Sequence, residues 1–309
     1  MKRELLIDTD PGIDDALAIM LANMDPDVNV RAITPVSGNV HLCNTLRNAL
    51  YIKELLGMDA RIAKGADCPL VNTNSHISSV HGADGLVGLS RDSSVKPEND
   101  RYAWDVIKEE ADACKGELDI TALGPLTNIA TAFLRYPEIK KEIKSITIMG
   151  GSAYAGNVTP NAEFNIWTDP DSCDIVFRSG VPIRMCGLNG LASCALSSEE
   201  LEPLTEYKGM VNEKLAVPII RFLKDNTVGW EDNGVVIYDL ITMAVYLYDI
   251  GDLKSYYVRC ETEEGPDYGR TVVDFNGRSG KKRNVDVLFE TDKQKYLKIL
   301  KDMFRYYSK

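Results

Sequence analysis

The sequence predicts an α/β fold: a mostly parallel central sheet flanked by helices, with a small C-terminal antiparallel β appendage. Three observations carry that prediction. Strand-like and helix-like segments alternate through the first two-thirds of the chain, and strands separated by helices require crossover connections and hence parallel pairing. The segment after the first strand is apolar nearly all round, as a deeply buried helix is. The composition, 44% apolar and 26% charged over 309 residues, suits a large core and is wrong for a disordered chain.

The elements follow in order. ELLIDTD (4–10) reads as a strand, and PGIDDALAIMLAN (11–23) as a tight turn and helix. VRAITPVSGN (30–39) is a strand, and HLCNTLRNALYIKELLG (41–57) a helix whose Leu42, Leu46, Ala49 and Leu50 make an apolar stripe. LDITALG (118–124) is a strand, LTNIATAFLRYPE (126–138) a helix, and SITIMGG (145–151) and VPIRMCGL (181–188) are strands. Residues 71–100 are rich in Ser, Asn, Asp and Gly around HGADGLVG, which predicts a long mobile loop of the kind that carries function. Residues 200–237 read as helical, interrupted by DNTVGWEDNG. SYYVRCETEEG and RTVVDFNGRSGKKRNVDVLFE read as antiparallel strands around turns. No linker demands a second domain, so residues 1–309 are expected to form one.

Charge and cysteine content narrow the function. A formal charge of −11 repels phosphate backbones, so no nucleic-acid partner is expected. The early apolar run ALAIMLA is far short of a bilayer span, and MKRELLIDTDPG is too polar for a signal peptide. Seven cysteines, an odd number without a C-x-x-C pair, argue against a disulfide framework or zinc site and for a reducing, cytoplasmic setting.

The most informative segment is IDTDPGIDDALAI, which places Asp8, Asp10, Asp14 and Asp15 at a strand-to-helix junction. In a parallel sheet such junctions, at the carboxyl ends of strands, are where ligands bind. One or two acids there would be caps or solvated groups. Four beside buried segments oppose one another's ionisation. A hard divalent cation resolves the conflict: Ca²⁺ takes six to eight oxygens, and Mg²⁺ is the other candidate.

This D-x-D-P-G-x-D-D segment resembles the signature of the inosine–uridine-preferring nucleoside hydrolases. Further matches follow in order: SGN ending at Asn39, ALGPLTNIA, IMGG with Met149, GNVTPNAEFN with Asn157, Glu163 and Asn165, and Asp239 opening DLITMAVYLY. The resemblance implies Ca²⁺ held by Asp10, Asp15, Asp239 and the backbone carbonyl of Leu123. Asp14 and Asn165 would meet the ribose 2′-hydroxyl, Asn39 the 3′-hydroxyl, and Asn157 and Glu163 the 5′-hydroxyl. Glu163 would repel a 5′-phosphate, which favours a nucleoside over a nucleotide. Met149 and Phe164 would complete the substrate pocket. The implied reaction is hydrolysis of the N-glycosidic bond through an oxocarbenium-like state, with Asp10 as general base. Asp8 would orient the turn from behind. A homo-oligomer, dimer or tetramer, is also implied.

The leaving-group end departs from the family pattern. The best-known members carry His immediately before the last metal Asp, where this chain has Tyr238. Tyrosine, with an ordinary pKa near 10, donates a hydrogen bond but is a poor acid near neutrality. His81 in the loop is the candidate acid, against its reading as a solvated residue. His41 reads as structural and His76 as surface. Tyr238, Trp230 or Phe164 would stack on a base that is a purine, a pyrimidine or a modified 7-deazaguanine such as that of queuosine. Two rival readings stand beside the hydrolase. One is a non-catalytic nucleoside or ribose binder, motivated by Tyr238. The other is a haloacid-dehalogenase-type phosphatase with Asp8 of DTD as nucleophile.

Overall fold

The computed structural model describes residues 2–71, 77–78, 80–226 and 234–309. Ten strands are present among them: β1 (Arg3–Thr9), β2 (Val28–Pro35), β3 (Arg61–Ile62), β4 (Leu118–Ala122), β5 (Ile143–Met149), β6 (Ile183–Cys186), β7 (Gly251–Tyr256), β8 (Val258–Cys260), β9 (Thr271–Val273) and β10 (Val285–Thr291). Eight form one sheet in the order β3-β2-β1-β4-β5-β6-β10-β7. All its pairings are parallel except β10 with β7. The chain winds outward from β1 through β2 to β3, then returns to start again at β4 on the other side of β1. The sheet therefore reverses direction between β1 and β4, and the crevice outside the carboxyl ends of those two strands is the binding position this topology favours.

Both sheet faces are covered. On one, helix Ile13–Met24 lies against helix Tyr238–Tyr248, and nine residues of each are buried. The apolar surround expected for the first helix is thus real, and it fixes both helix N-termini beside the ends of β1 and β4. On the other, Val106, Ile107, Ile129 and Phe133 pack under β4 and β5. Helix Leu42–Leu56 ends at Gly57 with φ +64°, whose N–H closes on the Glu54 carbonyl, the usual left-handed helix stop.

The C-terminal region differs in part from the sequence expectation. The antiparallel appendage is the two-stranded sheet β8-β9 alone. The flanking segments, β7 and β10, extend the main sheet, where β10 pairs parallel to β6. Two further helices, Ala103–Cys114 and Lys293–Tyr306, complete the covering layers. All seven cysteines are free thiols, four of them buried. Among the described residues no helix is long and apolar enough to cross a membrane.

Candidate active site

The acid turn follows directly from β1. Its register against β2 and β4 places Asp8 beside Thr34 and Ala122. Strand alternation sends the Asp8 side chain into the sheet's covered face, where it accepts hydrogen bonds from Thr34 Oγ1 at 2.6 Å and Asn128 Nδ2 at 2.9 Å. Burial pushes its carboxyl up to about 7. Asp8 is fully buried and away from the cavity. The phosphatase reading, with Asp8 as nucleophile, finds no support here, because Asp8 is tied to Thr34 and Asn128 beneath the turn. Asp8 supports the turn from below instead.

Pro11 and Gly12 then turn the chain into helix Ile13–Met24. Asp15, in the first helical turn, accepts from the Gly12 N–H at 2.8 Å, from Asn39 Nδ2 at 3.2 Å and from the Thr9 hydroxyl. Asp10 accepts the Asn39 N–H on Oδ2 at 2.6 Å, while its buried Oδ1 has no partner. Two glycines make room for that carboxylate. A Cβ on Gly38 would stand 2.1 Å from Asp10 Oδ2, and one on Gly124 would stand 2.5 Å from Oδ1.

Asp239 stands in the first turn of helix Tyr238–Tyr248, close to the acids at the N-terminus of the first helix. One carboxylate oxygen from each of Asp14, Asp15 and Asp239 lies within 4.8 Å of the others. Asp10, Asp14, Asp15 and Asp239 are all held above the usual carboxylate range, first by burial and, for Asp10, Asp15 and Asp239, also by neighbouring carboxylates. Two helix N-termini favour negative charge here, yet no Lys or Arg lines the cavity among the described residues. Four clustered acids without a counter-charge, Asp10, Asp15 and Asp239 buried and Asp14 at the cavity wall, stay neutral by holding protons, or ionise around a cation. The unpartnered Oδ1 atoms of Asp10 and Asp14 and the all-oxygen donor set fit a hard divalent ion.

The cavity above the cluster is lined by Asp14, Asp239, Asn39, Met149, Asn157, Glu163, Phe164, Asn165, Tyr238 and His81, with apolar walls from Ile13, Val80, Leu223, Val236 and Ile237. Asp10 and Asp15 lie behind this lining. Asn165 Nδ2 donates to the Leu123 carbonyl at 2.8 Å and the Met149 carbonyl at 3.2 Å. Glu163 caps the short helix Phe164–Thr168, and its two oxygens accept N–H groups from Gly151, Asn165 and Ile166. Burial raises it to about 7, against those hydrogen bonds. Asn157 Oδ1 accepts the Phe164 N–H at 3.0 Å.

His81 is 8% exposed, which corrects its reading as a solvated loop residue. In the described part of the loop expected to be mobile, Leu86 is fully buried. Desolvation lowers His81 to about 4, and its Nδ1 accepts the Ile13 N–H at 3.2 Å. The neutral ring therefore carries its proton on Nε2. His41 stands exposed at the N-cap position of its helix. His76 and Trp230 lie outside the described residues. Sequence reasoning missed Thr9, Gly38, Asn48, Gly124 and Asn128. Thr9, Gly38, Gly124 and Asn128 stood inside the quoted IDTDPGIDDALAI, SGN and ALGPLTNIA matches without being singled out, and Asn48 left no local signal.

The inosine-uridine preferring nucleoside hydrolase family model matches residues 5–298. The chain is 36% identical over 293 residues to the non-specific ribonucleoside hydrolase RihC of Escherichia fergusonii, covering 94% of this chain and 95% of that protein. Among solved structures, a plant nucleoside hydrolase superposes with a TM-score of 0.90 at 30% identity, covering 98% of this chain and 99% of the other. The purine-preferring ribonucleoside hydrolase from Gardnerella vaginalis superposes with a TM-score of 0.88 at 30% identity, covering 98% of each.

Proposed function

Because this chain belongs to the inosine-uridine preferring nucleoside hydrolase family and hydrolyses the N-glycosidic bond of a ribonucleoside, we propose that it does so with Ca²⁺ and accepts purine and pyrimidine bases alike. The observation that carries the metal is the buried acid cluster at the β1/β4 crevice without a cationic side chain. Asp10, Asp15, Asp239 and the Leu123 carbonyl would hold the ion. Asp14, whose oxygen lies with those of Asp15 and Asp239, faces the same centre and the ribose 2′-hydroxyl. When bound, Ca²⁺ supplies the charge that keeps the carboxylates ionised, acidifies adjacent water and grips a vicinal diol.

The chain's own residues do the rest. Asn39, Asn165, Asn157 and Glu163 line the cavity as partners for the ribose hydroxyls, and Met149 packs against the sugar. Asp10 takes a proton from the attacking water as the C1′–O bond forms. The C1′–N bond breaks, and its electron pair leaves with the base. Positive charge on the ribose is stabilised by the surrounding carboxylates. His81 donates its Nε2 proton in a hydrogen bond to the departing base, and Tyr238 and Phe164 flank the base. Support for breadth comes from the apolar walls, since such walls discriminate weakly between similar rings, and from the non-specific character in the name of the E. fergusonii relative.

The test is release of free base from inosine, adenosine, uridine, cytidine and queuosine, read by chromatography with and without a calcium chelator. Turnover of at least one purine and one pyrimidine nucleoside, lost on chelation and restored by Ca²⁺, is expected. Cleavage confined to a single base overturns the breadth, with queuosine alone marking a 7-deazaguanine enzyme. Full activity in chelator overturns the metal.

A further inference from the structure

We propose that Asn48 is a positioning residue for the leaving-group end of the site: its amide pins the loop that carries His81 to the turn that carries the acids. The inference rests on the donor role of His81 proposed above. Asn48 sits mid-way along helix Leu42–Leu56 and is fully buried. Its Nδ2 donates to the Pro11 carbonyl at 2.9 Å and to the Asp84 carbonyl at 2.8 Å. Pro11 belongs to the acid turn, and Asp84 to the loop three residues beyond His81.

The surroundings show why one amide does this work. The loop is tied together by its own hydrogen bonds: Asp84 Oδ1 accepts the Leu86 and Gly88 N–H groups, and the Val87 N–H closes on the His81 carbonyl. Val87 has φ +49°, a left-handed conformation that is costly for a β-branched residue and persists only where neighbours over-determine it. Loop and turn nearly touch at the clamp, since a Cβ on Gly85 would stand 2.9 Å from Asn48 Nδ2 and 3.2 Å from the Pro11 carbonyl. On the far side of the clamp the imidazole rests on Gly12, where an added Cβ would lie 2.3 Å from Nδ1. The Asn48 Oδ1 is buried without a partner. That cost would be absent with an apolar residue on this helix face, and it is borne to supply two donors in one place.

The test compares a natural nucleoside with 4-nitrophenyl riboside, whose leaving group departs without a proton. Asn48→Leu removes both donors while keeping the branched heavy-atom skeleton, and Asn48→Ser returns one. For Asn48→Leu we expect kcat on the nucleoside to fall about tenfold to a hundredfold with KM little changed, and kcat on the nitrophenyl riboside to fall less than about threefold. Asn48→Ser should lie between Asn48→Leu and the parent enzyme, and it carries the test alone if Asn48→Leu does not fold. His81→Ala should show the same selective loss, and adding an Asn48 substitution to it should cost nothing further. Equal losses on both substrates, or additive losses in the double variant, overturn the proposal. A selective His81→Ala with a non-selective Asn48 variant sinks only the Asn48 role. A non-selective His81→Ala sinks the donor reading and the Asn48 role with it.

Discussion

Gly38→Ala is the sharpest probe of the acid cluster, because it adds one methyl group and changes no charge. Its Cβ would stand 2.1 Å from Asp10 Oδ2 and 2.9 Å from the Pro125 ring. Closest approaches of real Cβ atoms are near 3.0 Å, so the carboxylate must retreat by roughly 0.9 Å. Asp10 is fully buried, with Gly124 close to its Oδ1, so that retreat displaces the carboxylate from the cluster. The φ of Gly38 is not left-handed, so alanine is tolerated by the backbone and the effect is one of space. A misplacement of about 1 Å at a reacting group costs on the order of 10²-fold in rate, or about 2.7 kcal/mol of barrier. Steady-state kinetics on the best nucleoside should show kcat falling by that order, with the Ca²⁺ concentration for half-activity rising. Thermal denaturation should show a folded protein. Gly124→Ala, pressing from the opposite side at 2.5 Å, should produce a similar defect. A Gly38→Ala enzyme within about twofold of the parent in kcat/KM would show that Asp10 is neither the base nor a metal ligand.

Two further outcomes follow from the same cluster. Asp10→Ala should lower kcat by about 10²–10⁴-fold, the range of a lost general base, while circular dichroism shows an unchanged fold; full activity would remove Asp10 from the chemistry. In the metal-free protein, buried acids with raised pKa values bind more protons folded than unfolded. Their contribution is therefore complete below the ordinary carboxylate range and is lost as pH rises through the folded values, which for Asp8 and Glu163 lie at about 7. The metal-free Tm should fall as pH rises through that window, and the Tm increment given by saturating Ca²⁺ should grow, since the ion binds the deprotonated cluster. A Ca²⁺ increment that shrinks with rising pH would contradict the assignment.

What was legible in the sequence is what sits close together in the chain. The turn IDTDPGIDD holds the strand end, the tight turn and four acids in one stretch, so its chemistry shows before any fold is known. The alternation of strands and helices likewise gives the parallel sheet. Asp239 is different. Nothing in DLITMAVYLY marks its first residue as a ligand, and only the resemblance pointed to it; what brings it to Asp15 is the packing of two buried helices. The extension of the main sheet by β10 was hidden for a related reason. VDVLFE follows a turn after β9 and looks like its partner, whereas its parallel pairing with β6 is a long-range choice. The closing helix was readable and unread: Tyr296, Leu300, Met303 and Phe304 recur on one face, and all four are buried.

The unread site residues share a physical character. Gly38 and Gly124 act by what they lack, Asn48 and Asn128 by donating to backbone carbonyls and a carboxylate far away in sequence. Their partners come from separate elements that meet only where β1 and β4 diverge. The same divergence explains why the acids can crowd. At a continuous sheet edge the carbonyl ends would be tied to the next strand, but here the chains peel away and leave backbone N–H groups of Gly12 and Asn39 free to bond Asp15 and Asp10. These dipoles fix the carboxylates in place without neutralising them. The site thereby keeps its negative charge for a cation and for the positive ribose that forms as the base departs. Lys or Arg partners would have stabilised the apo protein and abolished both.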